Sequence, residues 1–327
     1  MAYRFDLVGQ KVFVAGHNGM VGRALVRRLE REPVTVLTAS RDALDLTDPA
    51  AVESWMAANR PSVVVIAAAK VGGILANKTY PVDFLEQNLL IQTNLMRASH
   101  RRDVARLLFL GSSCIYPRDC PQPIKEEYLL AGPLEPTNDA YALAKIAGLR
   151  LTRAYREQHG RAWISAMPTN LFGPFDNFDL ESSHVLPALI RRFHEATEGR
   201  TPSIAIWGTG TPRREFLHVD DLADACVHLL AHYDDATAIN VGTGEDVTIA
   251  ELARSIARIT GFAGELAFDT TKPDGTPRKL LDISRLAATG WQPRIALEAG
   301  LADTCAWYRA NATAIAAAIA AGGRHAA

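Results

Sequence analysis

Residues 11–29 read KVFVAGHNGMVGRALVRRL: an apolar run, a loop carrying Gly16, Gly19 and Gly22, and then a segment with helical periodicity. Few folds place such a loop between a strand and a helix. Gly16 permits a tight turn out of the strand, Gly19 lets the backbone approach a pyrophosphate, and Gly22 lets the helix pack closely on the strand. The helix then offers free N–H groups and the positive end of its dipole to an anion. A glycine pattern alone is weak evidence; its place between strand and helix is what points to a dinucleotide. After the second apolar run, TASRD has no acid placed for a ribose 2′-hydroxyl. Arg41 stands there instead, which suits a 2′-phosphate and therefore NADP(H) rather than NAD.

The same alternation continues. Apolar runs at 11–15, 34–39, 63–69, 107–111 and 163–169 show no polar alternation, as strands buried on both faces do. Helical patterns at 21–31, 49–59, 83–100 and 140–159 separate them. The pattern predicts an α/β fold with a doubly wound parallel sheet of the Rossmann kind. Beyond about Gly173 the regularity loosens into stretches such as GPFDNFD, WGTGTPRREF and TKPDGTPRK. At roughly 150 residues per domain, the 327 residues suggest two parts. We expect residues 1–173 to form a cofactor-binding domain. Residues 174–327 are expected to form mainly a smaller C-terminal α/β substrate-binding part, interleaved with segments that return to the first. The Ala-rich tail ATAIAAAIAAGGRHAA is expected to finish a helix and then fray over GGRHAA.

Composition narrows the function. A 48% hydrophobic and 22% charged chain with net charge −1 has no electrostatic footprint for nucleic acid. Cys114, Cys120, Cys226 and Cys305 form no CxxC pair and no zinc spacing, so neither a metal nor a disulfide is expected. The first residues lack a charged-then-apolar leader, and no apolar run approaches ~18 residues. The expectation is a cytoplasmic enzyme with reduced thiols.

The fourth run ends in LFLGSSCIYP, and YALAK follows some thirty residues on. Tyr141 and Lys145 are spaced to share one helical face. The ammonium is expected to lower the phenol's pKa and make Tyr141 an acid–base near neutral pH. Ser112, at the strand's carboxyl edge, can bond a substrate oxygen. Hydride chemistry needs no more than this, yet Cys114 lies two residues beyond Ser112. On a continuing strand it would face the same side. His184, just before an apolar helical stretch, is a matching acid–base candidate. A packing cysteine and a helix-cap histidine are the plainer readings of these two.

AGHNGMVG, AAKVGGI, FLGSSCIYP, YALAKIAG, PTNLFGP, ESSHVLPALIRRFHEA, WGTGTPRREFLHVDD and KPDGTPRKLLD span most of residues 11–308. Together they resemble the GDP-L-fucose synthases, dual epimerase–reductases of the extended short-chain dehydrogenase/reductases. Sugar 4-epimerases usually carry a small residue or Thr where Cys114 stands. The 4,6-dehydratases need an acidic pair where Ile115 and Tyr116 follow it. The resemblance implies 3,5-epimerisation of GDP-4-keto-6-deoxy-D-mannose, then NADPH-dependent reduction at C4 to GDP-L-fucose. It implies that Cys114 and His184 exchange the C3 and C5 protons, and that Ser112 and Tyr141 hold the C4 oxygen. Tyr141 would protonate that oxygen, with Lys145 tuning it and holding the nicotinamide ribose. Cofactor contacts implied are Gly16, Asn18, Gly19, Met20, Val21, Gly22, Arg41, Leu110, Gly111, Ser112, Lys145, Pro168, Asn170, Leu171 and His184. Substrate contacts implied are Arg192, Trp207, Arg214, Asp274 and Lys279, with Arg191 competing for the role of Arg192. Asn18 departs from the pattern, since many relatives have there an arginine for the 2′-phosphate; a weakened preference for NADPH follows. Relatives pair as homodimers through two helices each, which here would be 83–100 and 140–159.

Two other readings compete. A nucleotide-sugar 4-epimerase with tightly held NAD needs the same loop, Tyr141 and Lys145, but not Cys114. A regulator that only senses NADPH would need neither Tyr141 nor Lys145.

Overall fold

The computed structural model describes residues 5–272 and 274–321. The sequence of GGRHAA, 322–327, lies outside them.

In the first half, strands alternate with helices as the pattern predicts. Strands β1 (Lys11–Ala15), β2 (Thr35–Leu37), β3 (Val63–Ile66), β4 (Arg106–Leu110) and β5 (Ala162–Pro168) are separated by helices α1 (Met20–Leu29), α2 (Pro49–Asn59), α3 (Ile74–Thr79), α4 (Pro81–Arg101) and α5 (Asp139–His159). Local chemistry sets the ends. Asp48 accepts from the N–H groups of Ala50 and Ala51 and Pro49 opens α2, while Gly160 closes α5 in the left-handed region. The runs expected at 34–39 and 63–69 are shorter as strands. Their last residues turn out of the sheet toward the carboxyl edge, where ladder pairing ends.

In the second half come β6 (Asn170–Phe172), α6 (Val185–Glu198), β7 (Ser203–Trp207), β8 (Arg213–Arg214), β9 (Phe216–His218), α7 (Val219–His232), β10 (Ile239–Val241), β11 (Val247–Thr248), α8 (Ile249–Thr260), β12 (Glu265–Asp269), β13 (Arg278–Lys279), α9 (Ser284–Ala288) and α10 (Leu297–Ala320). The main sheet has six strands in the order β2-β1-β3-β4-β5-β10, all parallel. This is the doubly wound Rossmann arrangement. β3 and β4 are buried along their whole length, so both sheet faces are covered. One core lies on the side of α1 and α7, around Val12, Leu25, Leu108, Leu222 and Val241. Another lies on the side of α2, α4 and α5, around Phe13, Met56, Leu95, Phe109 and Trp163.

The chain leaves β1 to one side for β2 and then crosses to β3 on the other. Ligands of such sheets bind outside the carboxyl ends at that reversal. There the remaining sequence builds three small sheets, β11-β8-β13, β12-β7 and β6-β9. A third core, including Phe178, Phe193, Leu252 and Tyr308, joins α6, α8 and α10 beneath them.

Candidate active site

The glycine loop comes first. Gly16 has φ +89°, and a Cβ there would lie 2.7 Å from the Ala68 backbone. A Cβ on Gly22 would lie 2.0 Å from the Gly16 carbonyl. Both glycines are therefore demanded by close approach. Gly19 is the N-cap of α1, and no side chain caps the helix and no acid sits in its first turn. Its leading N–H groups, on Met20, Val21 and Gly22, remain free for an anion. The donor set fits a pyrophosphate, as the sequence suggests. Arg41 lies exposed in the turn after β2. Two neighbours escaped the sequence reading. The His17 ring hydrogen-bonds the Ala39 backbone, tying the loop to the end of β2. Arg23 donates from Nε to the Asn18 carbonyl at 2.8 Å and stacks 4.6 Å above the Phe175 ring.

The next strand ends form the floor. Leu110 and Gly111 close β4, and the Gly111 N–H donates to the Ala166 carbonyl at 2.8 Å. Pro168 ends β5, while Asn170 and Leu171 lie on β6. The Asn170 amide donates to the Glu215 carbonyl at 2.8 Å, which fixes its orientation.

Tyr141 and Lys145 stand one turn apart on α5, as their spacing predicts. Lys145 is buried; its Nζ donates to the Leu110 carbonyl at 2.8 Å and lies 5.7 Å from the centre of the Tyr141 ring. Burial draws its pKa down to about 8, against the opposing pull of Cys114. The expected lowering of Tyr141 by Lys145 does not occur in this arrangement. Burial dominates and pushes the phenol up, Cys114 adds to the rise, and a hydrogen bond from Ser112 opposes them.

The expected geometry of Cys114 also needs correcting. The strand stops at Leu110, and Ser113–Ile115 form a single 3₁₀ turn. The Ser112 hydroxyl caps that turn, accepting from the Cys114 N–H at 3.4 Å. The thiol comes to the same side as Ser112 because the chain turns, not because a strand continues. Ser112 thus hydrogen-bonds both Tyr141 and Cys114. Burial raises the Cys114 thiol's pKa, while Lys279, Ser112 and Lys145 oppose the rise.

His184 is the N-cap residue of α6, but its side chain caps nothing. It is reachable by solvent yet strongly desolvated, as a residue on a cleft wall is. Burial lowers its pKa, and the Lys279 ammonium lowers it further. The loop before it is pinned from the AAKVGGI segment. The Gly73 N–H donates to the Ser182 carbonyl at 2.7 Å. Asn77 in turn holds the Gly72 and Gly73 carbonyls at 2.8 and 3.0 Å.

The residues assigned to substrate spread around this centre. Lys279 on β13 lies directly across from Arg214 on β8, and interacts with Cys114, Cys120 and His184. Both cations are desolvated, which lowers their pKa values. Arg192 donates to the Ala205 carbonyl at 2.5 Å, whereas Arg191 is engaged by Glu195 and the Phe178 carbonyl. Trp207 ends β7 and is 69% exposed, with the Lys272 ammonium 5.7 Å from its ring. Asp274 is taken up by the neighbouring turn, accepting from the Thr209 N–H and hydroxyl at 2.9 and 2.7 Å. Among the described residues no group of three or more His, Cys, Asp or Glu is placed to hold a metal ion. No helix among them is long and apolar enough to cross a membrane.

Comparison with known proteins identifies the family. Residues 12–242 match the NAD dependent epimerase/dehydratase family. GDP-L-fucose synthase 1 of Arabidopsis thaliana is 56% identical over 92% of this chain and 94% of its own. GDP-L-fucose synthase of Escherichia coli is 54% identical over 92% and 97%. The crystal structure of a GDP-L-fucose synthetase from Naegleria fowleri bound to NADP superposes with a TM-score of 0.87 at 27% identity, over 95% of this chain and 97% of that one. A dinucleotide loop, a Tyr–Lys helix and a full-length likeness of this strength place the chain in the NAD dependent epimerase/dehydratase family and, within it, among the GDP-L-fucose synthases.

Proposed function

We propose that this enzyme converts GDP-4-keto-6-deoxy-D-mannose to GDP-L-fucose, by 3,5-epimerisation and then NADPH-dependent reduction at C4. The observation that carries the reading is a shared hydroxyl. Ser112 acts on both the Tyr141 phenol, which a reductase needs, and the Cys114 thiol, which a reductase does not. One oxygen site then serves every step. The C3 and C5 protons are both α to the C4 carbonyl, so a charge developing on that oxygen acidifies both. Ser112 and Tyr141 donate to it as an oxyanion hole.

Inverting a carbon requires removing a proton from one face and delivering one to the other. Burial and Lys279 favour a neutral imidazole on His184, and burial favours a neutral thiol on Cys114. Between them, Cys114 and His184 supply one group to remove a proton and one to deliver it at each carbon. NADPH, when bound, supplies the hydride that reduces C4. Tyr141 delivers the proton to the C4 oxygen, and the raised phenol pKa keeps that proton in place until it is needed. Lys145 would hold the nicotinamide ribose. Gly16, Gly19, Gly22 and the first N–H groups of α1 would hold the pyrophosphate, and Arg41 and Asn18 would hold the 2′-phosphate. Arg192, Arg214 and Lys279 meet the diphosphate, with Trp207 and Asp274 at the nucleoside end.

Residues 1–173 act as the cofactor domain and 174–327 mainly as the substrate part, with α7 and β10 returning to the first. We also read the protein as a homodimer formed through α4 and α5, whose outer faces carry exposed Leu90 and Leu143. We place it in the cytoplasm, because the epimerisation depends on Cys114 remaining a free thiol.

The test follows NADPH absorbance with GDP-4-keto-6-deoxy-D-mannose in wild type and Cys114→Ser, with product stereochemistry by NMR. Wild type is expected to yield GDP-L-fucose. Cys114→Ser is expected to consume NADPH while giving an unepimerised 4-reduced sugar, or to stall. Untouched NADPH, with retained NAD and interconversion of UDP-hexoses, would replace this reading with a 4-epimerase.

A further inference from the structure

We infer that Glu215 is a positioning residue for the substrate cations, holding Arg214 and Lys279 together against their mutual repulsion. The inference rests on the function proposed above.

Glu215 follows Arg214 in sequence and is 0% exposed. Its Oε1 accepts from the N–H groups of Thr243 and Gly244 at 2.7 and 2.8 Å. Its Oε2 accepts from the Leu281 N–H at 3.0 Å. A Cβ on Gly242 would lie 2.2 Å from Oε1, so the turn after β10 closes directly over the carboxylate. Burying a carboxylate is costly: burial raises the Glu215 pKa, and the backbone N–H groups of Leu281, Gly244 and Thr243 oppose that rise.

The donors show what the charge is for. β8 and β13 are two-residue strands, and Lys279 lies opposite Arg214 in their parallel register. Their ladder is short, and it is held unevenly: the Asp246 carboxylate bridges Arg213 and Arg278 at the first residue pair, whereas at the Arg214–Lys279 pair the Glu215 N–H reaches the Lys279 carbonyl at 3.3 Å. Two like charges directly across neighbouring strands push them apart. The Glu215 carboxylate extends this short ladder beyond Lys279 by seizing Leu281, and it anchors the same strand to the turn after β10. It therefore keeps two desolvated cations converging on one cleft before any anionic ligand arrives, which is preorganisation.

Glu215→Gln keeps the size but supplies one acceptor and one donor. An amide N–H must then face a backbone N–H. Turning the oxygen toward Thr243 and Gly244 satisfies two donors, so Leu281 is the partner released and β13 loosens. On the cofactor side the Asn170 amide is held by the Glu215 main-chain carbonyl, which the substitution leaves in place.

The experiment is a double-mutant cycle on the full-length enzyme with Lys279→Met. GDP is titrated by calorimetry, NADPH by fluorescence, and KM is measured for the GDP-sugar. Glu215→Gln is expected to raise the GDP Kd and the sugar KM about tenfold, while NADPH affinity changes less than twofold. In the Lys279→Met background the same substitution is expected to cost less than twofold, since the repulsion is already gone. Equal penalties in both backgrounds, or a matching loss of NADPH affinity, would overturn the inference. If Glu215→Gln does not fold, Glu215→Asp enters the same cycle with the same two outcomes, being too short to hold both sides of the clamp. A wild type that neither binds GDP nor turns over the sugar would instead sink the proposed function.

Discussion

The two walls of the cleft are built differently. The cofactor wall consists of long regular elements: β1 and α1 around the glycine loop, and the 21-residue helix α5 carrying Tyr141 and Lys145. On the substrate wall Arg192 and Trp207 lie on α6 and β7, but Arg214 and Lys279 sit on two-residue strands and His184 ends the loop before α6, segments that could not hold their shape alone. A helix supplies its own hydrogen bonds, so it fixes a side chain without outside help. A short strand does not, and here buried polar groups take over that work: Glu215 for β13, and Gly73 with Asn77 for the loop before His184. Substitutions on the cofactor wall should then act through the side chain removed. Those on the substrate wall should act through residues that never touch the ligand.

The sharpest break of this contrast is at Tyr141. Tyr141→Phe leaves α5 intact and removes one hydroxyl. NADPH oxidation with GDP-4-keto-6-deoxy-D-mannose is expected to fall about 10³-fold, the range for loss of a positioned general acid. Solvent deuterium incorporation at C3 and C5 is expected to fall about 10²-fold, because the C4 oxygen loses one of its two donors. NADPH binding is expected to hold within twofold. Reduction that survives within tenfold would show that another group protonates the C4 oxygen.

This contrast also decides what the sequence makes legible. Gly16, Gly22, Tyr141 and Lys145 are readable because their roles follow from period and spacing within one element. Ser112 and Cys114 are readable as neighbours, but their shared orientation is not: it depends on a 3₁₀ turn where a strand was expected. The phenol's pKa is misjudged for a similar reason. Spacing reports Lys145, but it cannot report how strongly burial raises the phenol. Glu215 and Gly73 lie wholly beyond a linear reading. Each acts through partners dozens of residues away, and nothing nearby marks a glutamate as a backbone clamp. The only local trace of Gly73 is a doubled glycine in AAKVGGI.

Gly73 gives the second prediction. Its φ is −68°, so alanine has no backbone reason to be refused. The obstacle is contact: a Cβ there would stand 2.5 Å from the Ser183 carbonyl. Gly73→Ala must therefore push back the loop that presents His184. Deuterium exchange at C3 and C5 is expected to fall about tenfold, as for an ångström-scale misplacement of a catalytic group. Stability should drop by about 1–3 kcal/mol from overpacking. Reduction of a substrate already epimerised is expected to stay within twofold. If both half-reactions fall together, the loop before His184 serves the whole site rather than the proton exchange.

Lys145 tests the opposite wall on stability rather than rate, and its effect is the smallest. The buried ammonium has its pKa drawn down to about 8. In the unfolded chain a lysine titrates near 10.4. Between those values the unfolded state binds more protons than the folded one, so this group makes folding more favourable as pH rises from about 8 to 10.4. Below pH 8 the folded state bears the full cost of a buried charge, set against one hydrogen bond to Leu110. Lys145→Met removes that cost. The variant is expected to be more stable than wild type at pH 7 by about 1–3 kcal/mol, at the expense of activity. The gap should narrow as the pH is raised through 8 and close near 10.4. Denaturant melts at a series of pH values measure it directly. A variant less stable than wild type at pH 7 would mean that Lys145 braces α5 against β4, and that the cofactor wall too relies on a polar clamp.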